Sequence, residues 1–372
     1  MHLLGELEVT NAKVGAVTKL RWLAKACLHR TTLSSAKMLE VSGKHIETLL
    51  RRLQPFDGIV LNSVQLPGAF AAAFQKHKTI YVAHNVEASS ARESAATASR
   101  ALERWLFSRE ARYLEQIEWK LTQAALAIWT FAEADRFGFG QAASSRATVL
   151  PLVTRWDQPE SHADKSPEYD LALIGTWSWQ PNRIGLDWFL SEVVPFLPAD
   201  MSIGIAGQLP DAPAISHPGI RLLGRVPDAR AFVESGAVLP LISRGGTGVQ
   251  LKTVETFELG MPCVATSASL RGIEALPDNC AVSDDPVRIC LPVDREGQRR
   301  CRQGNRQRLS GSVFHQAQKT RLLEMMDEGL SRFGKPGVSL GRAFPRDEAR
   351  QSTTKAVSAP YGLAVHKGVQ SR

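Results

Sequence analysis

Short apolar runs alternate with amphipathic stretches along most of this chain. Ala237–Ser243 (AVLPLIS) is an apolar run of strand length, and Cys263–Ser267 begins another. Between them, Val249–Leu259 carries Leu251, Val254 and Phe257 at helical spacing and is stopped by Gly260 and Pro262. Gly245, Gly246, Thr247 and Gly248 form a turn just ahead of that helix, so the order is strand, glycine turn, helix, strand. Around it, the pattern predicts strands at Leu171–Gly175, Met201–Ala206 and Ile220–Leu223, with helices at Arg183–Phe196 and Pro227–Ser235. Strands alternating with helices point to a doubly wound parallel sheet.

The first half follows the same logic. Leu33–Leu53 reads as one helix, Gly58–Val64 and Thr79–Val86 as strands, and Gly68–Gln75 as the helix joining them. A helix-length crossover between two strands makes a parallel unit. Ala98–Leu126 is the clearest helix. Its predicted core stripe is Leu102, Leu106, Leu114, Ile117 and Leu121, with Arg109, Glu110 and Glu118 among the charges elsewhere and Trp105, Trp119 and Trp129 as core or rim packing. Ala127–Thr130 is apolar enough for another short strand and Ala147–Val153 leads out of the domain, whereas Met1–Thr32 carries no assignable pattern. The expected organisation is a first domain at 1–153, a polar linker at 154–169, a second domain at 170–330 and a basic tail without a core-forming pattern at 331–372.

Composition narrows the class. A chain of 372 residues with 44% hydrophobic residues accommodates two ordinary domains. The net charge is +8, but the last 42 residues hold eight Lys/Arg and two Asp/Glu, so the body is close to neutral and no specific nucleic-acid partner is expected. Cys27, Cys263, Cys280, Cys290 and Cys301 are scattered, which favours reduced thiols in a cytoplasmic protein over a zinc site. No apolar run approaches the ~20 residues of a membrane span, and Glu6 and Glu8 break the N-terminus as a signal peptide. His162 among acidic residues, and the arginines between Asp294 and Ser310, read as linker composition and a solvated helix face.

A glycine turn feeding a helix N-terminus is an anion site, because uncapped N–H groups and the helix dipole point the same way. Lys252 in the first turn suits a phosphate, and Glu255, three residues on, shares its side of the helix. A carboxylate placed there can accept both hydroxyls of a ribose, so the pair suggests a nucleoside diphosphate. A surface helix with an i, i+3 ion pair fits the same spacing. In the first half, His84, Asn85 and Glu87 follow a strand at the sheet edge where open α/β sheets bind ligands. A histidine simply hydrogen-bonded at a strand end fits equally.

GGTGVQLKTVETFELGMPCVATS resembles the donor-binding segment of family-four glycosyltransferases (glycosyl transferases group 1), and the likeness extends upstream through Ile174–Leu197 and His217–Leu241. AHNVEASSARES in the first half is similar in the right order. The resemblance implies the GT-B architecture of two Rossmann-like domains. It implies a retaining, metal-independent hexosyltransferase that moves a sugar from a nucleoside diphosphate donor to a carbohydrate or lipid-linked hydroxyl acceptor. Surface polysaccharide or glycolipid synthesis is the expected setting, with contact at the inner face of the membrane. No cofactor is implied beyond the donor.

The resemblance assigns Lys252, Glu255 and His84 to catalysis or its immediate contacts. It assigns Gly246, Thr247, Gly248, Val249, Val226, Thr176 and Arg183 to the donor. Four departures stand out. Thr247 replaces a second glutamate. Thr176 and Asn182 stand where Arg and Lys are common, with Arg183 as a substitute. Glu258 fills a position that is usually small and apolar. The stretch before His84 is short for a complete first domain, which predicts an N-terminal sheet lacking strands and presenting an unpaired edge. A non-catalytic nucleotide-sugar-binding protein or partner subunit of the same fold is the alternative reading.

Overall fold

A computed structural model describes residues 14–155, 166–209, 211, 213, 217–245, 248–290, 304–334 and 364–365. The chain divides into two units, residues 1–150 with 323–372 and residues 151–322.

Among the described residues the first unit has five strands: β1 (Ile59–Asn62), β2 (Thr79–Val82), β3 (Ala127–Thr130), β4 (Ala147–Val149) and β11 (Ala364–Val365). Their order is β11-β1-β2-β3-β4, all parallel except β11, which runs antiparallel to β1. β2 and β3 are buried at every position, as strands covered on both faces must be. The edge of β1 expected to be bare is therefore paired, with Ile59 opposite Val365. Ala364 and Val365 supply that strand.

Among the described residues eight helices precede the second unit: α1 (Ala16–Leu28), α2 (Leu33–Met38), α3 (Gly43–Leu53), α4 (Gln65–Phe74), α5 (Glu87–Thr97), α6 (Ala101–Ala124), α7 (Glu133–Gly138) and α8 (Gln141–Ser144). The single helix expected over Leu33–Leu53 is two, because Ser42 caps a new start by accepting from the His45 N–H at 3.2 Å. On α6 the predicted stripe is corrected. Leu102 is 68% exposed, as are Trp105 (51%) and Trp119 (63%), while Arg109 and Glu118 are buried. Arg109 lies inside because the Thr31 carbonyl needs a donor there (3.1 Å). It also pairs with Glu110 at 2.7 Å, and Glu110 accepts from the Leu33 N–H at 2.8 Å. Only Trp129 of the three tryptophans is core.

The second unit carries six parallel strands in the order β10-β9-β8-β5-β6-β7. They are β5 (Tyr169–Ile174), β6 (Ile203–Ala206), β7 (Ile220–Gly224), β8 (Gly236–Leu241), β9 (Cys263–Ala265) and β10 (Cys280–Val282). α9 (Gln180–Trp188), α10 (Ala229–Glu234), α11 (Leu251–Glu258), α12 (Pro286–Cys290) and α13 (Gly304–Ser331) complete the order. The helix predicted to reach Phe196 loosens after Trp188 into a wide turn at Phe189–Val193 and a tight one at Val194–Phe196, the latter containing Pro195. The main core packs Leu171, Leu186, Phe189, Val193, Ile203 and Ile205 between sheet and helix. A second core joins Val254 and Phe257 of α11 to Leu239, Leu241 and Phe314, whose ring meets Phe257 edge-on at 5.5 Å.

Residues 156–165 of the predicted linker, most of the arginine-rich stretch, and 335–363 of the tail lie outside the described residues. Phe333, inside the stretch expected to lack a core pattern, is buried and packs where a side chain on Gly58 would stand.

Candidate functional site

In the second unit the turn from β8 to α11 is held from below by a buried hydroxyl network. Ser269 accepts from the Ser243 N–H at 2.9 Å and donates to the Leu241 carbonyl at 2.7 Å. Thr266 donates to the Ser243 carbonyl, and Thr253 to the Ser269 carbonyl at 3.0 Å. Arg271 donates to the Gly245 carbonyl at 3.0 Å. Small polar residues read as turn formers in the sequence, so nothing there marked Thr253, Thr266 and Ser269 as the support of the site. Gly248 has φ +76, a left-handed conformation that a side chain would strain. Gly246 and Thr247 lie outside the described residues.

No side chain caps the N-terminus of α11 at Gln250, so its first-turn N–H groups face an end that an anion can occupy. Lys252 and Glu255 are both half-buried on that helix. Burial pulls the Lys252 ammonium down to about 8, because leaving water disfavours its charged form. Among the described residues no carboxylate pairs with it. Glu255 is engaged from another direction, as Arg155 approaches its Oε1 at 3.3 Å. The i, i+3 pairing of Lys252 with Glu255 that the spacing also allowed is absent.

The unusual Glu258 has a structural task. Its carboxylate, 1% exposed, accepts from the Thr154 N–H at 3.0 and 3.2 Å, from the Thr154 hydroxyl, and lies 3.1 Å from Nδ1 of the buried His315. A small apolar residue would leave those donors unsatisfied. By fixing Thr154, Glu258 also sets where Arg155 begins its reach to Glu255.

The other donor-side candidates are more dispersed. Thr176 is exposed in a loop pinned by Trp177, whose buried indole donates to the Ala206 carbonyl at 2.8 Å. The Thr176 carbonyl accepts from Asn182 at 3.2 Å. Arg183 is spent on Asp187 of its own helix at 2.8 Å. Val226 leaves β7 and packs beside Tyr169 and Phe232, while Val249 packs against the α11 core.

In the first unit, His84 follows β2 and is exposed. Its Nε2 lies 2.6 Å from Asn62 Oδ1 at the end of β1, and its ring meets Phe131 edge-on at 5.6 Å. Partial burial lowers its pKa. The turn that carries it is tied down by two buried carboxylates. Glu118 accepts from the N–H groups of Glu87 (2.7 Å) and Ala88 (3.2 Å), and Asp135 from that of Val86 (3.2 Å).

Burial pushes Glu118 from the ordinary 4.5 up to about 7, the N–H donors offsetting only part of it. The folded chain therefore keeps a proton that the unfolded chain has released, and stability should decline as pH climbs from about 4.5 to about 7. Glu118→Gln should flatten that decline; urea midpoints measured at half-unit pH steps check it.

Two Rossmann-like units, each with a parallel sheet, define the class as GT-B. Sucrose-phosphate synthase from Thermosynechococcus elongatus shares this fold, with a TM-score of 0.59 at 11% identity over 88% of this chain and 82% of that one. HepE of Anabaena, solved in complex with UDP, aligns with a TM-score of 0.49 at 12% identity over 78% and 81%. A search of curated proteins finds no match. Residues 168–287 match the family described as Glycosyl transferases group 1. The matched span runs from the start of β5 through α11 to α12, so it contains Lys252 and Glu255.

Proposed function

We propose that this protein is a retaining glycosyltransferase that moves a sugar from a nucleoside diphosphate to a hydroxyl acceptor without a bound metal, in the synthesis of a surface polysaccharide or glycolipid. The observation that carries the reading is Lys252. It is a half-buried cation without a carboxylate partner among the described residues, in the first turn of a helix that no side chain caps. A departing diphosphate concentrates negative charge, and a cation with preset N–H groups stabilises that charge as it develops. Glu255 would take the ribose hydroxyls, with Arg155 holding the carboxylate in place. The Gly224–Val226 exit would take the base through its backbone, and the Thr176 loop would face the donor.

His84 would meet the transferred sugar. Its lowered pKa leaves the ring neutral at pH 7, able to accept or donate one hydrogen bond through Nε2 once Asn62 releases it. The acceptor is a carbohydrate or a lipid-linked hydroxyl, met in the cytoplasm or at the membrane's inner face. Among the described residues no helix is long and apolar enough to cross a membrane.

Calorimetry with UDP-, GDP- and ADP-sugars tests the reading. Binding by one of them, followed by release of the nucleoside diphosphate when an acceptor is supplied, is expected; no binding by any would end it. Glu255→Ala should weaken the nucleotide roughly tenfold while leaving inorganic pyrophosphate unaffected, since hydrogen bonds to a charged group contribute about 1.5–3 kcal/mol. Equal losses for both ligands would remove Glu255 from the ribose.

A further inference from the structure

A cavity lies within the first unit, between α4 and α6. Its volume is about 240 Å³. Protein interiors are close-packed, so a void of this size has a local cause. Here it is the composition of α4, QLPGAFAAAF, which turns Pro67, Gly68 and Ala71 toward α6 where large side chains would have closed the gap. Gly68 has no room for a side chain, because a β-carbon on it would collide with Ser35 Oγ and stand 2.9 Å from Ile117 Cδ1. The helix is also broken at Phe70 (φ −129, ψ 39), which shifts its second half relative to its first.

The opposite wall is a helical stripe of α6, Tyr113, Ile117, Lys120, Leu121 and Ala124, spaced three and four apart. Leu61 and Phe74 complete an apolar floor.

The rim is basic. Arg30 and Lys120 line the cavity together with His29 and His77, and no aspartate or glutamate does. None of the four makes an ion pair with a described residue. The main chain at Arg30 is fixed: it adopts φ +49, an uncommon conformation for a non-glycine residue. In its neighbour Thr31, the N–H donates to the Ala26 carbonyl at 3.0 Å and the hydroxyl donates to the Gly68 carbonyl at 3.2 Å. The Thr31 carbonyl accepts from Arg109 at 3.1 Å. The cavity reaches Thr79 at the start of β2, whereas His84 follows the other end of that strand, so it is not the candidate sugar site.

An apolar floor under unneutralised cations recognises a ligand with the converse layout. We propose that this cavity binds a small amphipathic anion, an apolar body carrying a phosphate or carboxylate head. The body fills the gap between α4 and α6. The head is met by Arg30, whose planar fork suits two oxygens at once, and by Lys120 as a point charge. The same chemistry occurs in the end of an anionic lipid and in a free metabolite.

Hexyl phosphate is the probe, titrated into the full chain by calorimetry beside hexanol and inorganic phosphate. One equivalent should bind at least tenfold tighter than either fragment. The double variant Arg30→Glu/Lys120→Glu, at two exposed positions, and Ala71→Phe, which fills the cavity, should each weaken it tenfold or more. Thermal unfolding and UDP affinity should stay at the parent's values. Sedimentation with phosphatidylglycerol vesicles separates the sources. Vesicle binding lost in the double variant identifies a lipid, and absence of vesicle binding in the parent with hexyl phosphate retained identifies a free metabolite. Hexyl phosphate binding no tighter than hexanol, or equal binding by parent and both variants, would overturn the proposal.

Discussion

Replacing Lys252 by methionine should weaken nucleoside diphosphate binding by about tenfold to a hundredfold, the loss of a charge-assisted contact of roughly 1.5–3 kcal/mol. The loss in turnover should be larger, about 10²–10³-fold, because the contact strengthens as the diphosphate leaves. Methionine keeps the stem that packs along α11 and removes only the charge. Titration also marks the site. The free ammonium has its pKa drawn down to about 8 by burial, and a bound diphosphate raises it, so the complex holds a proton that the free protein releases above that pH. Affinity should be full below pH 8 and fall by up to about tenfold per pH unit above it. The methionine variant should show no such fall. Calorimetry of both proteins at pH 7 and pH 9 decides it, and identical pH profiles would move the phosphates elsewhere.

Glu258→Ala should cost about 3–5 kcal/mol of stability, because the change strands the Thr154 N–H and hydroxyl and the buried His315 ring at once. Glu258→Gln keeps the shape and one acceptor oxygen, so it should cost less. The comparison that isolates burial is Glu274→Ala. Glu274 pairs with Arg321 at a similar distance, 2.8 Å, but the two side chains are 67% and 48% exposed, and screening should hold the effect below about 1 kcal/mol. Scanning calorimetry of all three variants makes the test. A Glu258→Ala protein that unfolds with the parent would show that Thr154 and His315 find other partners. Because Arg155 follows Thr154, the glutamine variant should also lose some nucleotide affinity through Glu255.

Elements whose identity depends on local pattern were legible in the sequence. The strand before Lys252 and the helix that carries it came through because apolar spacing and stop signals agree there. Both parallel sheets followed from alternation alone. What failed was information carried by distant partners. Arg109 and Glu118 occupy polar-looking positions on α6, and only the folded chain shows the backbone groups of Thr31, Glu87 and Ala88 that draw them inside. Arg155 sits 100 residues from Glu255, so no spacing rule links them. Glu258 was visible as an oddity, yet its explanation required Thr154 and His315. Asn62 and Phe131 beside His84 become neighbours only because β1, β2 and β3 lie side by side. β10 and α1 were missed because each is short or weakly patterned.

The return of residues 323–372 to the first unit sets an order of assembly. Gly329 lies against the Trp129 ring, Phe333 fills the space beside Gly58, and Val365 pairs with Ile59, all within the unit that begins the chain. Residues 151–322 are contiguous and can complete their core as soon as they leave the ribosome. The half made first is thus the half finished last: until some two hundred further residues have been translated, Trp129 and Gly58 wait uncovered, and a nascent chain stalled before Gly329 would present them to chaperones.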